Sequence, residues 1–92
     1  MTGSVQRSIR IVNEKGLHAR ASAKFVETVE RFDADATVRR DGMDVSGDSI
    51  MGLLMLAASK GTTIEVETRG AEAEALAAAL EALIADKFGE GF

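Results

Sequence analysis

Residues 35–46, DATVRRDGMDVS, hold the pattern that decides the fold. Small or β-branched residues alternate with polar ones over residues 35–40, which predicts a strand with one face toward the core. Asp41 and Gly42 follow, and an Asp-Gly pair suits a two-residue hairpin turn because both of its central residues adopt a positive φ. Residues 43–46 are then expected to return as a short antiparallel strand. The two strands are therefore predicted to be antiparallel neighbours in one sheet.

The segment before the hairpin contains a strand pattern followed by a helix pattern. Residues 4–12 alternate between apolar and polar side chains, as in a half-buried strand. Residues 18–32 then show the spacing of an amphipathic helix. Its apolar stripe consists of Ala21, Phe25, Val29 and Phe32. Its opposite face is expected to carry Lys24, Glu27, Thr28 and Arg31.

The segment after the hairpin completes the fold. Residues 50–58 are apolar almost throughout and predict a helix of two to three turns, which Ser49 caps and a Lys-Gly pair at 60–61 closes. Residues 62–68 alternate again, and a last helix is expected from Gly70, with a fraying GEGF tail. The order β-α-β-β-α-β-α predicts an α+β open-faced β-sandwich, in which a four-stranded antiparallel sheet is covered on one face by three helices.

The composition is that of one small globular domain spanning residues 1–92. Hydrophobic residues make up 46% of the chain and cysteine is absent, which excludes a disulfide framework and a thiolate metal site. A net charge of −4 and the absence of Trp and Tyr disfavour nucleic-acid binding. No apolar run approaches the length of a membrane span and no signal peptide is visible, so we expect a cytoplasmic protein without membrane insertion.

His18 is the only histidine of the chain and lies directly before the first predicted helix. The first amide N–H groups of a helix have no intrahelical partner, and the helix dipole adds positive potential, so this position favours an anion. Arg20 adds a guanidinium whose donors suit phosphate. The same positive potential disfavours the imidazolium form, which leaves a ring nitrogen free to attack an electrophile. The sequence offers no second acid or base beside His18 and no metal site.

These residues therefore favour holding and passing a phosphoryl group over hydrolysing it. Three interpretations remain open on the residues alone. The first is a phosphoryl carrier, and the second is a regulatory binding module of the same fold whose histidine is an idle surface residue. The third is a hydrolase of acyl phosphates, which would need a water-positioning side chain such as Asn13, the only asparagine.

Two separated motifs resemble the histidine-containing phosphocarrier (HPr) family of the bacterial phosphotransferase system. They are GLHARASA at residues 16–23 and DSIMGLLML at residues 48–56, and the resemblance extends over essentially the whole chain. It implies that Nδ1 of His18 accepts a phosphoryl group from Enzyme I, which takes it from phosphoenolpyruvate, and passes it to an EIIA-type protein. Arg20 would contact the phosphate, and the backbone N–H groups of Ala19 and Arg20 would bind it. The protein would be a monomeric relay rather than an enzyme and would need no cofactor or metal.

Ala21 departs from the usual family pattern, which has proline after the arginine. Alanine is the best intrinsic helix former, so the helix is expected to form without the proline. The H-A-R-A form resembles members of the nitrogen-related branch of the system. Ala21 therefore leaves open whether the chain serves sugar uptake or nitrogen and carbon regulation.

Ser49 aligns with the regulatory serine of the family. In members that have the HPr kinase/phosphorylase, ATP-dependent phosphorylation of this serine weakens transfer through the histidine. The alternative is that Ser49 is only the N-cap of the second helix. Asp48 precedes Ser49 where several members carry lysine.

The resemblance also implies that the second helix forms part of a docking surface for Enzyme I and the acceptor. The alternative is that its apolar side chains belong to a thicker core. Helical spacing directs Ile50, Leu53, Ala57 and Leu56 toward the core and leaves Met51, Leu54 and Met55 partly outward. Exposed methionine and leucine beside a reactive residue are typical of an adaptable interface. The predicted docking residues are Leu17, Lys24, Ile50, Met51, Leu54 and Met55. Lys24 and Arg20 would give this surface a basic rim that attracts acidic partners.

Overall fold

The computed structural model describes residues 3–92 and confirms the predicted order of strands and helices. In chain order the elements are β1 (Val5–Arg10), α1 (Ala19–Glu30), β2 (Asp35–Arg40), β3 (Met43–Ser46), α2 (Ile50–Met55), β4 (Thr63–Arg69), α3 (Ala73–Ala85) and a 3₁₀ turn (Lys87–Gly89). No helix in this described part of the chain is both long enough and apolar enough to cross a membrane.

The hairpin forms as its sequence predicts. Asp41 has φ 51° and Gly42 has φ 79°, so both central residues of the turn occupy the left-handed region. β2 and β3 pair in antiparallel fashion, with Arg40 opposite Met43 beside the turn. The turn therefore sets the register of this end of the sheet.

The sheet is fully antiparallel and has the strand order β1-β4-β2-β3. Ile9 pairs with Ile64 and Val38 pairs with Val66, and all four side chains are buried. Together with the apolar faces of the helices, they form one core on a single face of the sheet, which confirms the predicted open-faced sandwich. Burial of each such side chain contributes about 1.5–3 kcal/mol to stability.

α1 presents its predicted apolar stripe to the core. Ala21, Phe25 and Val29 are buried, and Phe32, which lies just beyond the helix, is partly buried. Thr28, which was expected on the solvent face, is buried as well. Its hydroxyl donates a hydrogen bond at 3.0 Å to the carbonyl one turn earlier in the same helix, which removes the cost of burying it.

α2 is shorter than its apolar run predicts. It ends at Met55, and Ala57 adopts φ 51°, which no helix continues through. The prediction that Gly61 closes α2 is therefore wrong, and its N–H instead donates to the Ile11 carbonyl at 2.8 Å. Because the helix stops early, Ala57 is exposed rather than buried. Ile50, at the first position of α2, is 40% exposed, so the prediction that it lies in the core is wrong. Leu53 and Leu56 are buried as predicted.

α3 starts later than predicted, and the tail after it is ordered. Gly70 has φ 119°, which is not a helical conformation, and the helix begins at Ala73. After α3 the chain turns through Lys87 and Phe88, both with positive φ, and Phe88 is fully buried. The expectation that the GEGF tail frays is wrong, because this segment folds back over the start of α1.

Candidate functional site

The segment that carries His18 is held by the loop that follows α2. Gly16 has φ +65°, and a Cβ built on it would lie 2.4 Å from the Ala58 carbonyl oxygen, so only glycine fits this approach. The N–H of Leu17 donates to the same carbonyl at 2.9 Å. Leu17 is only 4% exposed. Its assignment to the docking surface is therefore wrong, and its side chain instead belongs to the core that anchors this segment.

His18 is the N-cap residue of α1. Its backbone is extended (φ −76°, ψ −178°), and its side chain makes no capping hydrogen bond. The first helical bond runs from the Ser22 N–H to the His18 carbonyl at 2.8 Å. The N–H groups of Ala19, Arg20 and Ala21 lie before that bond, at the positive end of the helix. This is the arrangement that the sequence predicts for an anion site.

Ala21 occupies the third position of α1 and is fully buried. Its methyl group belongs to the same core cluster as Phe25 and Leu53. Because position 21 tolerates alanine within a regular first turn, the departure from the usual proline leaves the start of the helix intact.

The C-terminal segment lies against the His18 ring. Nε2 of His18 is hydrogen-bonded to Oε2 of Glu90, and Nδ2 of Asn13 donates to Oε1 of the same carboxylate at 2.9 Å. The side chain of Glu90 is only 8% exposed, whereas that of His18 is 27% exposed. The ring is thus bound on its Nε2 edge and remains partly accessible to solvent.

Asn13 joins the turn before α1 to this segment. It is fully buried, and its amide group also donates to the Gly16 carbonyl at 2.9 Å. The amide hydrogens are therefore used within the fold, and Oδ1, which has no hydrogen-bond partner, is buried away from solvent. Asn13 thus lacks the role that the hydrolase interpretation requires of it.

Basic side chains surround the ring on its other sides. Lys15, Arg20 and Lys24 line a concavity of about 180 Å³ together with His18 and Glu90. Nζ of Lys24 also donates to the Phe88 carbonyl at 2.7 Å, and Nζ of Lys15 lies 5.8 Å from the centre of the Phe92 ring. The site therefore combines three cations with one carboxylate in a chain whose net charge is negative.

Two opposing effects act on the pKa of Glu90. Burial raises the pKa of this carboxyl, but the hydrogen bonds from His18 and Asn13, with the positive charges nearby, lower it by more. The net pKa is below the ordinary glutamate value of 4.5. Glu90 is therefore ionised near neutral pH and can only accept hydrogen bonds there.

Ser49 is the N-cap of α2, as predicted. Its hydroxyl accepts a hydrogen bond from the Gly52 N–H at 3.0 Å, and the residue is partly exposed. The neighbouring side chains of Met51 and Met55 are 70% and 64% exposed, and Leu54 is partly exposed. α2 thus presents an apolar surface to solvent, as its sequence predicts.

The sequence interpretation missed two residues of this site, Glu90 and Lys15. Glu90 lies in a tail that was expected to fray, and its contact with His18 spans 72 residues of the chain. The only local signal for an ordered tail is that apolar residues recur at helical spacing from α3 as far as Phe88. Burial of Phe88 then attaches the tail to the core. Within residues 3–92, no group of three or more His, Cys, Asp or Glu side chains is arranged to hold a metal ion.

Comparison with known proteins agrees with this geometry. A family model described as "PTS HPr component phosphorylation site" matches residues 5–86. The phosphocarrier protein HPr of Neisseria meningitidis serogroup A is 54% identical over 95% of this chain and 98% of its own length. The chain belongs to the HPr family of phosphocarrier proteins.

Other members of the HPr family share both sequence and fold with this chain. The phosphocarrier protein NPr of Escherichia coli K12 is 39% identical over 95% of this chain and 98% of its own. The crystal structure of HPr-C-His from Thermoanaerobacter tengcongensis superimposes with a TM-score of 0.91 at 38% identity, covering 96% of this chain and 99% of that one. Both the HPr and the NPr branches are thus represented among its relatives.

Proposed function

We propose that this chain carries a phosphoryl group on Nδ1 of His18, as one domain spanning residues 1–92. It would receive the group from phosphorylated Enzyme I and pass it to an EIIA-type protein, as a relay in sugar uptake or in nitrogen and carbon regulation. The observation that carries the proposal is the position of His18. Its partly exposed ring stands at the N-terminus of α1, beside unpaired backbone N–H groups and three basic side chains.

The role of each neighbour follows from its chemistry. The N–H groups of Ala19 and Arg20 would bind the oxygens of the phosphoryl group, and the guanidinium of Arg20 would neutralise part of its charge. Arg20 is exposed and is therefore free to contact either the phosphoryl group or an acidic partner. The one carboxylate beside the ring, Glu90, is already bound to Nε2 of His18 and to Nδ2 of Asn13, so it is not free to activate water and the loaded form would persist until an acceptor docks.

Docking would use the exposed apolar surface of α2 and the basic rim beside His18. We assign this surface to Ile50, Met51, Leu54 and Met55, with Lys24 on its rim. Methionine adapts its shape to different partners, which suits a relay that must bind a donor and an acceptor in turn. The surrounding cations would attract acidic partners before contact.

Ser49 is proposed as a second phosphorylation site, used by an HPr kinase/phosphorylase. Support comes from its position beside the exposed α2 surface and from its partly exposed side chain. A phosphate there would add negative charge to the docking surface and repel acidic partners. Incubation with ATP and the kinase should then give an acid-stable label that Ser49→Ala abolishes. A label that persists in Ser49→Ala would remove this assignment.

The transfer proposal is tested with labelled phosphoenolpyruvate, magnesium and Enzyme I. The expected result is one label per chain, stable in base and labile in acid, and absent in His18→Ala. Ser49→Ala serves as the matched control and should be labelled like wild type. If wild type remains unlabelled while Enzyme I phosphorylates itself, His18 is idle and the chain is a binding module of the same fold.

A further inference from the structure

The hydrogen bonds at Glu90 determine which nitrogen of His18 carries the proton. An ionised carboxylate has no proton to donate, so its bond to Nε2 requires that Nε2 bear the hydrogen. In the neutral ring the second nitrogen, Nδ1, then carries the free lone pair. The nitrogen that the proposed function uses is thus the one that Glu90 leaves unprotonated.

We propose that Glu90 is a positioning residue for phosphoryl transfer, which holds His18 in the Nε2–H form and stabilises its ring as the Nδ1–phosphorus bond forms. This inference rests on the proposed function and adds to it a residue from the opposite end of the chain. Carboxylates act in the same way on the outer nitrogen of other functional histidines, by fixing the tautomer and the orientation of the ring.

The C-terminal segment holds the carboxylate in place through contacts on both sides of Glu90. Before it, Phe88 is fully buried and its carbonyl accepts from Lys24. After it, the Phe92 carbonyl accepts from the Glu14 N–H at 3.2 Å. The fold therefore holds the carboxylate in place before the reaction begins. An effective positioning group must be held in this way, because ordering it during the reaction would cost free energy.

Asn13 fixes the second oxygen of the carboxylate. Its buried amide bridges Oε1 of Glu90 and the Gly16 carbonyl, and Gly16 lies two residues before His18. One side chain thus ties the carboxylate to the backbone that positions the ring. The distance between the carboxylate and the ring is set by the fold rather than by a free surface contact.

The transfer step balances with this arrangement. The lone pair of Nδ1 attacks phosphorus, the bond between phosphorus and the donor atom breaks, and its electron pair stays with the donor. No proton has to leave Nδ1, because the ring proton is already on Nε2. The positive charge that develops on the ring is stabilised by the Glu90 carboxylate on the opposite edge.

The charges around the ring keep the carboxylate from opposing the incoming anion. Glu90 is bound at Nε2, while Lys15, Arg20 and Lys24 line the same concavity. These three cations outnumber the single carboxylate there, so the field at Nδ1 remains attractive to a phosphoryl group.

The test measures the tautomer of His18 and the transfer rate in the same variants. In ¹⁵N NMR spectra of the unphosphorylated chain at neutral pH, the neutral ring of wild type should be in the Nε2–H form. Glu90→Gln should shift it toward the Nδ1–H form, because an amide can donate to Nε2 as well as accept from it. Single-turnover phosphorylation by Enzyme I should slow by about tenfold, the low end of what outer partners of functional histidines contribute.

Two further variants separate this role from packing and from net charge. Glu27→Gln removes a carboxylate from the exposed face of α1 and should match wild type in both measurements. Glu90→Asp keeps the charge on a shorter side chain and should retain more of the wild-type rate than Glu90→Gln. Equal losses in the two Glu90 variants would indicate packing and would overturn the inference.

The outcomes also distinguish this inference from the proposed function. If wild type is phosphorylated and Glu90→Gln matches it in tautomer or in rate, Glu90 has no positioning role and the proposed function stands. If wild type takes no phosphoryl group from active Enzyme I, the proposed function fails and the role in transfer fails with it. A tautomer shift together with a slower rate supports both.

Discussion

The carboxylate of Glu90 is hydrogen-bonded to Nε2 of His18, which lies 72 residues earlier in the chain. This contact brings the C-terminal segment onto the turn that begins α1. It also gives the only histidine a partner that local sequence patterns do not reveal. The stability of the segment should therefore depend on the ionisation of Glu90.

The first prediction concerns the pH dependence of this contact. Because the folded pKa of Glu90 lies below the ordinary value of 4.5, its stabilising effect is present above that value and is lost as the pH falls through the folded pKa. The amide signals of residues 88–92 in NMR spectra should therefore report release of the segment in acid. In urea unfolding, Glu90→Gln should lower the free energy of unfolding at neutral pH. It should also make that free energy less dependent on pH below 4.5. Parallel pH profiles for wild type and variant would contradict this prediction.

The second prediction concerns the close approach at Gly16. Gly16→Ala places a Cβ 2.4 Å from the Ala58 oxygen. The positive φ alone should cost alanine about 1 kcal/mol, and the steric clash should raise the total loss of stability well above that value. Gly61→Ala is the matched control, since Gly61 also has positive φ (+91°) but its added Cβ would meet nothing within 4 Å. Urea unfolding followed by circular dichroism measures both variants, and equal losses would exclude the steric explanation.

The third prediction concerns the cap of α2. Ser49→Ala removes the hydroxyl that accepts from the Gly52 N–H and should cost about 1 kcal/mol of unfolding free energy. Ser59→Ala, at an exposed position outside the helices, should change stability by less than about 0.5 kcal/mol. A Ser49→Ala variant as stable as wild type would show that the cap does not contribute.

The fourth prediction concerns the exposed surface of α2. Met51 is 70% exposed, so Met51→Asp should change unfolding free energy by no more than about 0.5 kcal/mol. Its affinity for Enzyme I should nevertheless fall by about tenfold, since a charge would enter the apolar centre of the interface. Met43→Asp makes the same change at a residue that is 40% exposed on β3, outside the proposed surface. If calorimetry finds equal losses of affinity in both variants, α2 is not the specific contact.

The elements that local patterns determine agree with the sequence predictions. Alternation and the Asp-Gly turn depend on adjacent residues, and they place β2 and β3 at their observed bounds. The cap at Ser49 and the start of α1 after His18 follow from signals within one helical turn. The family resemblance likewise directs attention to Arg20, which lines the same concavity as His18.

The features that depend on distant contacts could not be predicted in the same way. α2 stops at Met55 and Ala57 adopts a positive φ, although the sequence would continue a helix. The carbonyls on either side of Ala57 accept instead from distant groups, that of Leu56 from the Arg40 guanidinium and that of Ala58 from the Leu17 N–H. The tail is ordered because burial of Phe88 and the partners of Glu90 hold it. Leu17 is buried because the Ala58 carbonyl binds its backbone. In each case a contact far along the chain overrides the local propensity.

The most direct test of the central claim is a ³¹P–¹⁵N NMR spectrum of the ¹⁵N-labelled chain after incubation with phosphoenolpyruvate, magnesium and Enzyme I. His18 is the only histidine, so a phosphorylated imidazole can arise only there. The predicted result is a single phosphorus coupled to Nδ1 of His18, which disappears in acid. Phosphorus on Nε2, or an unmodified imidazole in the presence of phosphorylated Enzyme I, would contradict the claim.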